Sequence, residues 1–256
     1  IRSTRWRRGQ DIFYMDEERF RDPALSVRGG NPVLFPICGN LAGDRYTLDG
    51  QTYALPQHGF ARNRPWQVVA QSVDDEGAQL TVGLTASPET RTGYPFDFDL
   101  QLTYRLQGAA LVLTATVANH GDRPLPFCLG FHPYFAVADK TALQLDIPAT
   151  AWVSKSGETQ EFTGTLDWDQ AEIDIAFADL QNHTASVQTG DRRLTLTFDP
   201  TYTVLVFWTV QGKPFYCLEP WSAPRNAFNP DPGQPDRRQW VEPGQTHTNT
   251  LKYELT

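Results

Sequence analysis

No CxxC pair occurs in this sequence, and its three cysteines, Cys38, Cys128 and Cys217, are far apart. An odd, scattered set is no disulfide framework; it reads as buried free thiols in a reducing compartment. The histidines are equally poor in pattern. His58, His120, His132, His183 and His247 form no HxxxH or HExxH, and none adjoins a cysteine pair. A structural zinc site is therefore not expected, and neither a metal nor an organic cofactor is predicted. Segments of the GxSxG, Walker and GxGxxG types are also missing, which removes the simplest serine hydrolase, NTPase and dinucleotide readings.

Long apolar runs are lacking too. Even runs such as Val204 to Trp208 are far too short to cross a membrane, so no membrane partner is expected. No charged-then-apolar leader is visible, and a cytoplasmic address is the expectation. Positive charge is in deficit, with 22 Lys and Arg against 30 Asp and Glu and a formal net charge of -8. That argues against a nucleic-acid partner, which needs a basic surface to neutralise phosphates. The local basic runs, Arg5-Trp6-Arg7-Arg8 and Arg237-Arg238, read as solvated surface.

Helical periodicity is weak everywhere; the best candidate is the short stretch Asp16 to Arg21. What the chain does have is punctuation: 19 Gly and 19 Pro cut it into short segments. Leu100, Leu102, Tyr104 and Leu106 alternate with polar residues. Gly108-Ala109-Ala110 turns the chain, and Leu111, Leu113, Ala115 and Val117 run back, a hairpin of period two on both arms. Leu194, Leu196 and Phe198 repeat the alternation, as does Thr246 to Leu255. Tyr202 to Val210 reads as a more fully buried strand. With no repeat and no linker, residues 1–256 are expected to form one all-β domain, a large antiparallel β-sandwich. The Pro-rich stretch from Pro220 to Pro235 is long for a loop, and such loops are often functional.

Three segments carry chemistry. In Leu55-Pro56-Gln57-His58-Gly59-Phe60-Ala61-Arg62, Gly59 permits positive φ or a close approach, and His58 and Arg62 could face one pocket. A turn stabilised by the histidine is the alternative. In Gly130-Phe131-His132-Pro133-Tyr134-Phe135, aromatic neighbours imply a partly buried His132. Burial lowers a histidine pKa and a nearby carboxylate raises it. A core histidine bonded to backbone remains open as the plainer reading. In Phe215-Tyr216-Cys217-Leu218-Glu219-Pro220-Trp221, a lone Glu219 among apolar residues is costly to bury and suits general-base work if buried. A surface glutamate at a strand end is the alternative.

In this order the three segments, with Ser26-Val27-Arg28-Gly29-Gly30-Asn31-Pro32 and the Pro243-Gly244 strand, resemble the aldose 1-epimerases and the related hexose-6-phosphate mutarotases. The resemblance covers most of the chain and implies a galactose mutarotase-like β-sandwich. It implies interconversion of the α and β anomers of a free hexose, with Glu219 as base, His132 as acid and His58 as a supporting group near the ring oxygen. Arg28 and Arg62 match sugar- or phosphate-contacting positions, and Asp174 thinly matches an acid that binds sugar hydroxyls. Asn40 stands where many relatives carry a hexose-contacting arginine, a departure that bears on the preferred sugar. The implied partner is a small sugar, the implied assembly a monomer or homodimer, and no cofactor is implied. Rival readings are a hexose-6-phosphate 1-epimerase, with Arg28, Arg45, Arg62 and Arg64 as candidate phosphate cations, a non-catalytic sugar-binding protein, and a glycosidase. The last would need a second placed carboxylate.

Overall fold

The computed structural model describes residues 11–22 and 24–256, so the basic run Arg5-Trp6-Arg7-Arg8 lies outside the described residues. Two eight-stranded sheets dominate. One runs, in spatial order, Gln144–Asp146, Thr184–Thr189, Arg192–Phe198, Thr246–Leu255, Ala110–Asn119, Phe98–Gln107, Gly77–Thr85 and Gln67–Asp74. The expected hairpin is its centre, with Phe98–Gln107 paired to Ala110–Asn119 from Phe98↔Asn119 to Gln107↔Ala110. Strict alternation buries Leu111, Leu113, Ala115 and Val117 and turns their neighbours outward.

The other sheet runs Val33–Leu34, Gly130–Phe131, Phe215–Trp221, Val204–Val210, Glu172–Phe177, Ala151–Ser154 and Thr159–Glu161, with Tyr134–Ala136 also paired to Phe215–Trp221. All named pairings are antiparallel, as the sequence pattern predicts. One continuous apolar core joins the sheets. It takes Leu100, Leu113, Leu196 and Leu251 from the first and Phe131, Phe207, Tyr216 and Leu218 from the second. The short helix Glu17–Arg21 forms where expected, capped by the Asp16 side chain, which accepts from the Arg19 N–H at 3.1 Å. All three cysteines are free and buried. Among the described residues no helix is long and apolar enough to cross a membrane.

The Phe215–Trp221 strand positions the site. Every residue of it is buried, yet its faces differ. Tyr216 and Leu218 enter the core. Period two therefore puts Cys217, Glu219 and Trp221 on the opposite face, where the cleft lies. Pro220 and Trp221 belong to this strand, so the Pro-rich connection begins only at residue 222.

Candidate active site

Backbone pairing sets the central geometry. Gly130 pairs with Trp221, and Tyr134 pairs with Cys217. Both pairings share one register, so His132, in the gap between two short strands, falls opposite Glu219. Side chains opposite one another in a ladder share a face. His132 Nε2 lies 3.3 Å from Glu219 Oε1. Trp221, two residues along the strand, donates its Nε1–H to Glu219 Oε2 at 3.1 Å. The neighbouring strands continue the row, with Val206 opposite Glu219, and Trp208 opposite both Cys217 and Asp174.

All residues of this row but Cys217, which is fully buried in an apolar cluster with Tyr134 and Phe215, line a cleft of about 300 Å³, large enough for a small ligand. Its walls include Arg28, His58, Arg62, Asp174, Trp208 and Arg225. Of the residues singled out by sequence, His58, His132, Glu219, Arg28, Arg62 and Asp174 all converge here. Asn40 does not. A left-handed turn at Gly39 (φ 72°) precedes it, Asn40 is exposed, and its carbonyl accepts the Asn226 N–H at 3.0 Å. It anchors a loop and is absent from the cleft wall, as are Arg45 and Arg64.

His58 owes its position to an unusual backbone. His58 and Gly59 both have positive φ, 67° and 68°. The close approach expected at Gly59 is made to protein: a Cβ there would lie 2.2 Å from the Phe35 carbonyl oxygen. His58 is tied twice to Gly39. Its N–H donates to the Gly39 carbonyl at 2.7 Å, and its Nδ1 accepts the Gly39 N–H at 3.1 Å. An accepting Nδ1 fixes the tautomer, with the ring proton on Nε2.

Burial sets the charge states. It pushes the Glu219 carboxyl well above the usual carboxylate range, against the opposing Trp221 hydrogen bond. It pulls His132 down to about 3, helped by the Arg62 charge. It pulls His58 down to about 2, helped by His132, Arg62 and Arg225. The facing His132–Glu219 pair thus holds one proton between its two members over a wide pH range, and His58 stays neutral.

This arrangement predicts the pH dependence of stability. Unfolded, His58 would bind a proton below about pH 6.5, whereas folded it refuses one until about 2. Stability is therefore lost as pH falls below 6.5, at up to about 1.4 kcal/mol per pH unit. The His132–Glu219 pair adds no slope between about pH 4.5 and 6.5, because unfolded it also carries one proton there, on the histidine. Urea unfolding of the wild type and of His58→Gln between these pH values checks this. The wild type should lose stability relative to the variant on acidification; parallel profiles would refute the assignment.

Several lining residues were not singled out by sequence. Tyr134 stacks on His132 with centroids 4.8 Å apart. Trp208 meets the same ring edge-on at 5.6 Å and donates its Nε1–H to Glu172 at 2.7 Å. Arg225 pairs with Asp174 and lies over the Trp221 ring at 5.9 Å. Its signal was the long Pro-rich loop, whose site residue could not be named in advance. That loop is pinned by Asn226, which accepts the Ala42 N–H at 2.9 Å, and by Asn229, which donates to the Arg45 carbonyl at 2.8 Å. Arg28 lies over the Trp208 ring at 5.7 Å and makes no ion pair among the described residues. Arg62 donates to the Gln57 carbonyl at 3.2 Å, while its buried Nε has no described partner.

Known proteins of similar structure include the Slr1438 protein from Synechocystis sp. PCC 6803. It is 42% identical with a TM-score of 0.92, covering 97% of this chain and 85% of that one. A galactose mutarotase-like protein from Clostridium acetobutylicum shares the fold at 19% identity and a TM-score of 0.77, covering 94% and 82%. Among curated relatives, the Escherichia coli (strain K12) protein named "Putative glucose-6-phosphate 1-epimerase" is 31% identical over 152 residues. That alignment covers 59% of this chain and 47% of the relative, so the chain spans about half the length of that protein. The family model for aldose 1-epimerase matches residues 20–254. With nearly the whole described chain matched, this protein belongs to the aldose 1-epimerase family.

Proposed function

We propose that the protein interconverts the α and β anomers of an aldohexose, with Glu219 and His132 as the acid–base pair. The observation that carries this reading is the 3.3 Å approach of His132 Nε2 to Glu219 Oε1 on the floor of an open cleft. Anomer exchange needs one group to take the C1 hydroxyl proton while another protonates the ring oxygen. The C1–O5 bond then breaks, the aldehyde turns about C1–C2, and the ring closes on the other face with both transfers reversed. One proton resides on the pair at every stage, either as glutamate with imidazolium or as glutamic acid with neutral imidazole. The burial that holds one proton on the empty pair therefore matches the proton count of the whole cycle. His58, a neutral Nε2–H donor, supplies a hydrogen bond to the sugar and no proton. Trp208 and Trp221 line the cleft, and the Arg225–Asp174 pair offers donors and acceptors for hydroxyls.

The test is optical rotation. Pure α-glucose or α-galactose should equilibrate faster with the protein than without it. Sugar binding in calorimetry without catalysed exchange would instead indicate a non-catalytic sugar binder.

A second reading, a phosphorylated hexose, is favoured by one observation. The cleft wall carries five cations, Arg19, Arg28, Arg62, Lys155 and Arg225, against Glu172, Asp174 and Glu219. Burial holds the last of these toward neutrality, and guanidinium groups suit phosphate oxygens. Comparing glucose with glucose 6-phosphate separates the two readings. On the phosphorylated reading, Arg28→Ala should lower kcat/KM for the phosphate ester by roughly tenfold or more, the value of a charge-assisted hydrogen bond, and leave free glucose nearly unchanged. Equal losses on both sugars would remove Arg28 as a phosphate contact.

A further inference from the structure

Cys217 has no role in anomer exchange, yet it lies against the groups proposed to perform it. One donor atom each from His132, Cys217 and Glu219 lies within 4.8 Å of the other two, and all three residues are buried. From these positions we infer that the floor of the cleft is a binding site for a thiophilic divalent ion such as zinc or cadmium, and that occupancy inhibits the enzyme.

One edge of the triad already fits a four-coordinate ion, and binding would draw the donor atoms in from a span of up to 4.8 Å. Zinc bonds of about 2.0–2.3 Å in a tetrahedron place donor atoms about 3.3–3.8 Å apart. The His132 Nε2–Glu219 Oε1 separation of 3.3 Å already has the length of such an edge. Cys217 and Glu219 stand two residues apart on one strand face, and Tyr134, opposite Cys217, holds the next position after the His132-Pro133 step. One strand and the gap between the two short strands paired to it thus supply a mixed nitrogen, sulfur and oxygen donor set, the combination that zinc accepts. Trp221 bonds the outer carboxylate oxygen, Oε2, and orients the ligand oxygen.

Three protein ligands leave a fourth position, and His132 and Glu219 both line the cleft from which it would be filled. One thiolate and one carboxylate match a doubly charged ion, and the two displaced protons leave to solvent. The site differs from a structural zinc site in two ways. It has an open position, and His132 Nδ1 has no described partner of the kind that usually orients a metal-bound imidazole. It is an acquired site, filled when the ion is available. Its ion and the sugar compete, because both need His132 and Glu219.

The inhibition rests on the proposed function, whereas the binding does not, so both are measured. Cadmium chloride and zinc chloride are titrated into the purified full chain. The ultraviolet cadmium–thiolate charge-transfer band reports sulfur ligation, and calorimetry gives stoichiometry and affinity. One ion per chain and a thiolate band are expected. Cys217→Ser should abolish the band, and His132→Gln should weaken zinc by more than the roughly 10–100-fold that loss of an outer partner costs. Zinc should slow anomer exchange of the wild type competitively with sugar and leave Cys217→Ser uninhibited. No band at equimolar cadmium overturns the site, as does a band that survives in Cys217→Ser and so belongs to Cys38 or Cys128. If Cys217→Ser fails to fold, Cys217→Ala and His132→Gln carry the same test. Metal binding with the expected variant pattern but no catalysed exchange would sink the enzymatic reading and leave the site standing. Exchange without metal binding would do the reverse.

Discussion

Replacing Glu219 by Gln should lower kcat for anomer exchange by about 10²–10⁴-fold, the usual contribution of one positioned acid or base. That corresponds to about 2.7–5.4 kcal/mol of transition-state stabilisation. Glutamine keeps the shape and the acceptor for the Trp221 Nε1–H, 3.1 Å from the carboxylate in the wild type, so KM should change little. Nor should the fold suffer. Glu219 is 1% exposed and held toward its neutral form by burial, and an amide is neutral at every pH. Because burial raises the Glu219 pKa, the wild type loses stability as pH rises and the folded carboxyl holds its proton longer than the unfolded one; the variant should escape that loss. The pair should also behave as a unit. His132→Gln should cost a similar factor, and the double variant should be little worse than the poorer single variant, because one proton cannot be lost twice. Wild-type rates in Glu219→Gln, or strictly multiplicative losses in the double variant, would contradict the assignment.

Gly59→Ala should be among the most destabilising single substitutions in the chain. Gly59 has φ 68°, where an L residue costs about 1–2 kcal/mol. The added Cβ would also lie 2.2 Å from the Phe35 carbonyl oxygen and 2.6 Å from its carbon. Both are backbone atoms of a fully buried residue, so neither can rotate aside. Forcing a methyl group into a packed site costs about 1–3 kcal/mol more, for a total of about 2–5 kcal/mol. At this chain length that lowers Tm by roughly 10 °C. Gly108→Ala is the matched control. Its φ is 57°, but nothing lies within 4 Å of its added Cβ, so it should show the left-handed cost alone. Equal losses at the two positions would mean that the Phe35 contact relaxes freely. Activity should fall with Gly59→Ala even where the protein remains folded. His58 precedes it, and its ring is held by a single acceptor bond to Gly39.

The sheet framework was readable because its signal is local. Alternation at Leu100 to Leu106 and Leu111 to Val117 is a property of consecutive residues, and the central hairpin forms there. The candidate site was readable only in pieces. Glu219 within its own segment reads more readily as a surface residue than as a base. Its burial depends on His132, far away in sequence, entering the same ladder register. Tyr134, Trp208 and Trp221 reach the cleft through strand pairing, and an aromatic residue in an alternating segment gives no hint of which face will hold a ligand. Arg225 was least accessible to sequence. Its placement depends on Asn226 and Asn229 anchoring to the chain near residues 40–45, contacts that no local pattern encodes. Asn40, which stands where many relatives carry a hexose-contacting arginine, is not in the cleft wall, and its carbonyl instead accepts the Asn226 N–H after the turn at Gly39.

The register that sets His132 opposite Glu219 also decides which sequence changes the pair can survive. The distance between the proposed acid and base belongs to two paired backbones, whereas His58, Arg62 and Arg225 arrive on the segments around them. A sequence change in those segments can alter which sugar is held without moving the proton-transfer pair. Inserting or deleting one residue between Gly130 and Tyr134 would instead turn the histidine toward the opposite face, because side chains alternate with period two. Substitutions in the surrounding segments therefore leave the His132–Glu219 spacing intact, whereas a change in chain length from Gly130 to Tyr134 does not.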